Sequence, residues 1–252
     1  MDLTSLLPPE LAWPAALLLV AVSFLTSALA AAVGIGGGLA LIAVMASVMP
    51  PIAVVPLHGV VQLGSNLGRA VVQRHHLAWD IVLWFSLGGL AGALLGGRAA
   101  FALPTVALKA ILGLFVLYAV WGPKPKLPAG QGPLFFLGGI VTAFLTMFVG
   151  ATGPFAASIL PRSRLDKTGI VGTHAANMTV QHSLKIAVFG LLGFAFGPWL
   201  PLLAAMLVTG FLGTLAGSHL LHRLPEERFA LGFKLVLTGL ALNLLIGALF
   251  FS

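Results

Sequence analysis

Two sets of polar side chains interrupt an otherwise apolar sequence, and they share one spacing. His58, Gln62, Ser65, Asn66 and Arg69 lie at i, i+4, i+7, i+8 and i+11, while His174, Asn177, Gln181, His182 and Lys185 lie at i, i+3, i+7, i+8 and i+11. On a helix each set occupies one face, and a shift of 116 residues superposes the two. Polar groups inside apolar segments normally face a bundle interior or a wet cavity. Two matched stripes therefore predict one shared central site. The plainer reading is that they hold helices together by hydrogen bonds.

The sign of the ligand follows from what the stripes lack. All six acidic residues, Asp2, Glu10, Asp80, Asp166, Glu226 and Glu227, fall in tails, loops or segment ends. A cation site would want carboxylates or a carbonyl cage, whereas imidazoles, amides, hydroxyls and helix N-termini suit an anion. Two glycine-rich breaks, Gly34–Gly38 and Gly150–Pro154, add backbone donors. In lipid such a break survives only where it is buried in protein or lines a polar cavity, and broken helices at matching places in two halves mark a transporter's site. The predicted substrate-binding set is Gly36, Gly37, Gly38, His58, Gln62, Asn66, Thr152, Gly153, His174, Asn177, Gln181 and His182. Arg69 and Lys185 close the stripes as cations at the two mouths, and His58, His174 and His182 are the candidate proton carriers, because histidine titrates near neutral pH.

Enzymatic chemistry has little to work with. The chain has no cysteine and no embedded carboxylate, so a nucleophile and base are hard to pair. No HExxH helix or Cys/His cluster is present, and neither a metal nor a cofactor is predicted.

The elements that must position these groups are membrane segments. Of 252 residues, 59% are hydrophobic and only 8% charged, too few charges to solvate a soluble surface. The mean hydropathy of +1.08 agrees. The formal charge of +7 then reports cytoplasmic loops rather than a nucleic-acid partner. An acidic N-terminus, Met1 to Glu10, argues against a cleaved signal peptide.

Taken in order, the predicted segments are Leu11–Val33, a short Leu39–Met49 stopped by Pro50-Pro51, Ile52–Val72, Trp79–Gly97 and Thr105–Trp121. A Pro/Gly-rich linker over residues 122–132 separates them from Leu134–Val149, a short Phe155–Leu160, Thr168–Phe189, Trp199–Leu221 and Phe229–Phe250. Adding 116 carries Gly34 to Gly150 and His58 to His174, and adding 121 carries Gly92 to Gly213, Gly96 to Gly217 and Leu103-Pro104 to Leu224-Pro225. The expected fold is an all-α integral membrane protein of two inverted repeats, residues 1–121 and 133–252, each of about five helical segments, joined by a cytoplasmic linker. Helices at Gly34–Gly38 and Gly150–Pro154 are broken or re-entrant. Trp79, Trp121 and Trp199 at segment ends read as interfacial anchors. Gly88, Gly89, Gly92, Gly96 and Gly97, with Gly210, Gly213 and Gly217, permit close helix approach within one protomer or in a homodimer.

Orientation follows from the basic loops. With both termini periplasmic, ten cations fall inside (Arg69, Arg74, Lys124, Lys126, Arg162, Arg164, Lys167, Arg223, Arg228 and Lys234) and three outside (Arg98, Lys109 and Lys185).

The glycine run Gly34–Gly38, its partner around Gly150, the polar third segment, the basic linker and the overall length together resemble the TauE/SafE family of sulfite-exporter-like permeases. The resemblance covers nearly the whole chain. It implies transport of sulfite or a small organosulfonate-like anion across the bacterial inner membrane. The expectation is a secondary transporter, an exporter, whose partners are that anion and the lipid bilayer. An anion channel and a non-transporting scaffold subunit are the alternatives: saturable exchange marks the carrier, large single-channel currents the channel.

Overall fold

The computed structural model describes residues 7–33, 37–123, 132–160, 165–220 and 226–250. Gly34 to Gly36, most of the expected linker, Arg162, Arg164, Arg223 and the Leu224-Pro225 pair lie outside the described residues.

Ten α-helices and no strand occur among the described residues, as the all-α reading requires. The first five are α1 (Trp13–Val33), α2 (Gly37–Val48), α3 (Pro51–Val72), α4 (Trp79–Phe101) and α5 (Thr105–Trp121). The next five are α6 (Gly132–Val149), α7 (Gly153–Ile159), α8 (Lys167–Leu191), α9 (Leu200–Leu220) and α10 (Glu226–Phe250). Four stretches are long and apolar enough to cross a membrane: Trp13–Ala31, Trp79–Phe101, Gly132–Val149 and Gly197–Gly217. The polar helices α3 and α8, with 22 and 25 residues, are long enough but carry the stripes that lower their hydropathy. At 12 and 7 residues α2 and α7 are too short to span.

Local chemistry sets the helix ends. Pro50 precedes α3 and Pro51 occupies its first turn, where the missing N–H costs nothing. Asp166 caps α8, its carboxylate accepting from the Gly169 N–H at 2.7 Å. Gly150 ends α6 with φ of 71°, a left-handed conformation that favours glycine.

Glycines then decide which helices touch. A methyl group on Gly88, Gly92 or Gly96 of α4 would run into the carbonyl oxygens of Phe136, Ile140 and Phe144 on α6. On α9, Gly213 and Gly217 stand in the same way against the Phe24 and Ala28 carbonyls of α1. Both glycine faces are therefore used within the chain, with α4 laid on α6 and α1 on α9. Between these pairs α3 lies beside α8, and α5 packs on α10. Large apolar side chains such as Leu17, Leu25, Leu83, Leu95 and Phe211 point outward, as a lipid-facing surface requires.

The tryptophans divide. Trp79 and Trp121 are exposed, but Trp199, expected as an interfacial anchor, is buried in the core at a 3-10 turn, Gly197–Trp199, ahead of α9. Residues Arg74–His76 form a 3-10 turn between α3 and α4.

Candidate functional site

The two polar stripes meet because α3 and α8 are neighbours. The His58 ring is fully buried, its Nε2 2.9 Å from the carbonyl oxygen of Gly38 in the first turn of α2. His182 of α8 faces it edge-on, with ring centroids 6.1 Å apart. Further along α3, Asn66 donates from Nδ2 to the Gln62 carbonyl at 2.8 Å and accepts at Oδ1 from Arg69 Nη2 at 3.0 Å. The Gln62 amide lies over Gly38, where a methyl group would come within 3.0 Å of its Nε2.

A cavity of about 340 Å³ opens among these groups. Its wall includes Gly37, Gly38, His58, Gln62, Asn66 and Arg69 on one side and Gly153, His174 and His182 on the other. Eight of the expected binding residues and one expected mouth cation thus border one space. Among the described residues that line it there is no carboxylate, and Arg69 is their one permanent cation. Asp166 is occupied as a helix cap. The lining runs from the middle of α3 to its C-terminal turns and from the first turns of α8 to its middle, so the cavity lies at the Arg69 end of both helices. Past His58 and His182 the side chains of Leu57, Val54, Lys185 and Val188 are buried, and a separate, smaller cavity of about 60 Å³, bordered by Val55, Pro56, Met147 and Phe189, lies towards the other end of the bundle.

Four expected site residues stand elsewhere. Thr152, Asn177, Gln181 and Lys185 are buried but do not line the cavity. Gln181 Nε2 donates to Thr152 Oγ1 at 2.8 Å, and that hydroxyl donates to the Thr142 carbonyl at 3.2 Å, so the Gln181 amide nitrogen and the Thr152 hydroxyl tie α6, α7 and α8 together. Lys185, expected at a mouth, has no exposed surface: its Nζ donates to the Gly150 carbonyl at 2.8 Å and lies 3.4 Å from His182 Nδ1. Gly59 makes this possible, since a methyl group there would lie 3.0 Å from Lys185 Cδ. Gly36 lies outside the described residues.

The remaining wall is apolar and includes Leu39, Ile170, Val171 and Met178. These were not among the expected residues. A signal existed for two of them: Ile170, His174, Met178 and His182 fall at successive four-residue steps of α8, so the polar stripe continues an apolar one. The short α7 offers few free donors, because Pro154 in its first turn has no N–H and the N–H groups of Phe155 and Ala156 bond the Thr152 carbonyl.

Several buried polar atoms of the two stripes have no protein partner: His58 Nδ1 and His174 Nδ1 on residues that line the cavity, and Asn177 Oδ1 and Gln181 Oε1 on residues that do not. Buried polar groups are ordinarily bonded, and clustered exceptions mark a place where water or a ligand completes the set.

No curated protein and no solved structure matches the chain. The family model described as Sulfite exporter TauE/SafE matches residues 19–244, which is nearly the whole chain. A glycine-broken helical bundle with a polar cavity is in keeping with that match, and the chain belongs to the TauE/SafE family of multi-pass membrane transport proteins.

Proposed function

We propose that this protein is a secondary transporter of the bacterial inner membrane that exports a small anion, sulfite or an organosulfonate, through the cavity between α3 and α8. The family implies a membrane exporter of this anion class. The single observation that carries the site is that the cavity joins Arg69, His58, His174 and His182 with no acidic residue among its described lining residues. An anion placed there meets one fixed positive charge, ring and amide donors, and the first-turn backbone of α2 at Gly37 and Gly38.

Two further observations favour a carrier over a channel. The cavity at His58 and His182 is separated from the smaller cavity beside Val55 and Phe189 by the buried side chains of Leu57, Lys185 and Val188, whereas a conducting channel needs a continuous path. Helix contacts also recur in pairs, as two inverted repeats that rock about a central site would require. Gly92 meets the Ile140 carbonyl and Gly213 the Phe24 carbonyl, with the glycines 121 residues apart and the carbonyls 116. Gly96 with Phe144 and Gly217 with Ala28 repeat the relation. On this reading the Arg69 end is cytoplasmic. The turn after α3 abuts the start of α8, with the Ala78 N–H donating to Thr173 Oγ1 at 3.0 Å, so Arg69, Arg74 and Lys167 share one end of the bundle.

The test is thermal stabilisation of purified protein by sulfite, sulfate, thiosulfate, sulfoacetate, taurine, chloride and carboxylates, repeated on Arg69→Gln. A ligand bound to the native fold raises apparent stability with the logarithm of its concentration above the dissociation constant. A shift with sulfite or one sulfonate, reduced in Arg69→Gln, is expected. No shift with any anion would remove the assignment.

A further inference from the structure

Among the described residues Lys185 is the largest polar side chain with no exposure, and the anion site as described makes no direct use of it. Its stem passes through the notch at Gly59, and its ammonium has two partners among the described residues: the Gly150 carbonyl at 2.8 Å and His182 Nδ1 at 3.4 Å. Neither carries a negative charge. A buried ammonium normally has a counter-charge, and no carboxylate is among these partners.

A lysine ammonium carries three donors and no acceptor. Beside a protonated Lys185, His182 Nδ1 can only accept, which places the ring proton of neutral His182 on Nε2. The ring lines the cavity while its Nδ1 is turned towards Lys185. We propose that Lys185 is a positioning residue that locks His182 in the Nε2–H form, so that the ring presents a hydrogen-bond donor to an anion in the cavity, with the Lys185 charge one ring behind it. This rests on the reading of the cavity as an anion site and adds a selectivity to it. Ligand oxygens that only accept hydrogen bonds, as in a fully ionised sulfite or sulfonate, match His182, whereas a ligand group that must donate there does not.

The geometry ties selectivity to architecture. Gly150 is the left-handed residue that breaks α6 from α7, and its carbonyl also accepts from the Thr146 hydroxyl at 3.1 Å. Lys185 therefore fixes the donor ring relative to the helix break, and a movement of the break would release the ring with it.

The ring nitrogens of ¹⁵N-histidine-labelled protein report this directly, with the His182 signals identified by their loss in His182→Gln. The expected result is an unprotonated Nδ1 and a protonated Nε2 in the wild type. Lys185→Met should give an Nδ1–H form or a mixture, and should raise the sulfite dissociation constant about tenfold, the scale of one hydrogen bond. Lys185→Arg, which keeps a charged donor, should retain the wild-type tautomer. An Nδ1–H ring in the wild type overturns the assignment without recourse to any variant, so failure of Lys185→Met to fold cannot shelter it. An unchanged tautomer in a folded Lys185→Met also overturns it. The tautomer is read without transport: an Nε2–H ring whose signals no anion moves would defeat the anion reading and leave the Lys185 assignment standing.

Discussion

His58 Nε2 stands 2.9 Å from the carbonyl oxygen of Gly38, twenty residues earlier in the chain. The bond ties the middle of α3 to the first turn of α2, just after the first glycine break, and it makes Nε2 the protonated nitrogen, because a carbonyl can only accept. His58 Nδ1 is left buried without a partner. The ring thus serves the fold with one nitrogen and has the other to spare.

Gly38 is where binding and folding separate. A methyl group there would lie 3.0 Å from Gln62 Nε2, the flexible end of a side chain that can give way. Replacing a helical glycine by alanine also favours the helix by roughly 0.5–1 kcal/mol. Gly38→Ala should therefore leave apparent stability unchanged or slightly raised. Its displaced Gln62 amide should weaken anion-induced stabilisation, with an apparent dissociation constant about tenfold higher, equivalent to one hydrogen bond. Thermal melts with and without sulfite read both effects, and unweakened binding would remove Gln62 from the site.

The glycine faces make a purely structural prediction. At Gly92 and Gly213 a methyl group would collide with backbone carbonyls of Ile140 and Phe24, which cannot rotate away. Gly92→Ala and Gly213→Ala should each destabilise by about 1–3 kcal/mol, the usual range for overpacking. Gly68, with nothing near its missing methyl group, is the control, and Gly68→Ala should be neutral or mildly stabilising. Equal melting temperatures for all three would contradict the α4–α6 and α1–α9 contacts.

Thr152 tests the group of residues behind the cavity wall. Its hydroxyl accepts from Gln181 Nε2 and donates to the Thr142 carbonyl. Thr152→Val keeps the shape but orphans both partners, which should cost about 1–3 kcal/mol for each buried group left unsatisfied. Thr152→Ser should restore most of it. Because Thr152 does not line the cavity, the sulfite dissociation constant of folded Thr152→Val should stay within about twofold of wild type, less than the loss of one hydrogen bond. A larger change would return Thr152 to the binding surface.

How far the sequence could be read depended on whether a signal was local. The span Thr105–Trp121 is bounded by Pro104 and Gly122, and expected and observed ends of α5 coincide. Gly97 looked like the end of α4, yet the helix runs on to Phe101, because Gly96 and Gly97 serve contact with α6 and α8 rather than a stop. The polar stripes were legible from spacing, but their depth was not. Arg69 and Lys185 occupy matching places in sequence, and the notch at Gly59 and the buried carbonyl of the Gly150 turn, neither legible from spacing, explain why Lys185 folds inward. Gln181 and Thr152 bond each other across 29 residues, a relation that helical periodicity cannot reveal. Trp199 misled for the same reason: its place at a segment end is local, and its burial is tertiary.

The most direct test of an exported anion passing through this cavity is exchange of ³⁵S-sulfite in proteoliposomes containing wild-type protein or His174→Ala. His174 lines the cavity and, among the described residues, makes no hydrogen bond, so its loss should spare the fold. The account predicts saturable uptake that rises when unlabelled sulfite is trapped inside, and a loss of at least about tenfold in His174→Ala, the scale of one hydrogen bond to a bound anion. Exchange by His174→Ala at the wild-type rate would contradict the site, and wild-type vesicles that exchange neither sulfite nor any sulfonate would contradict the function.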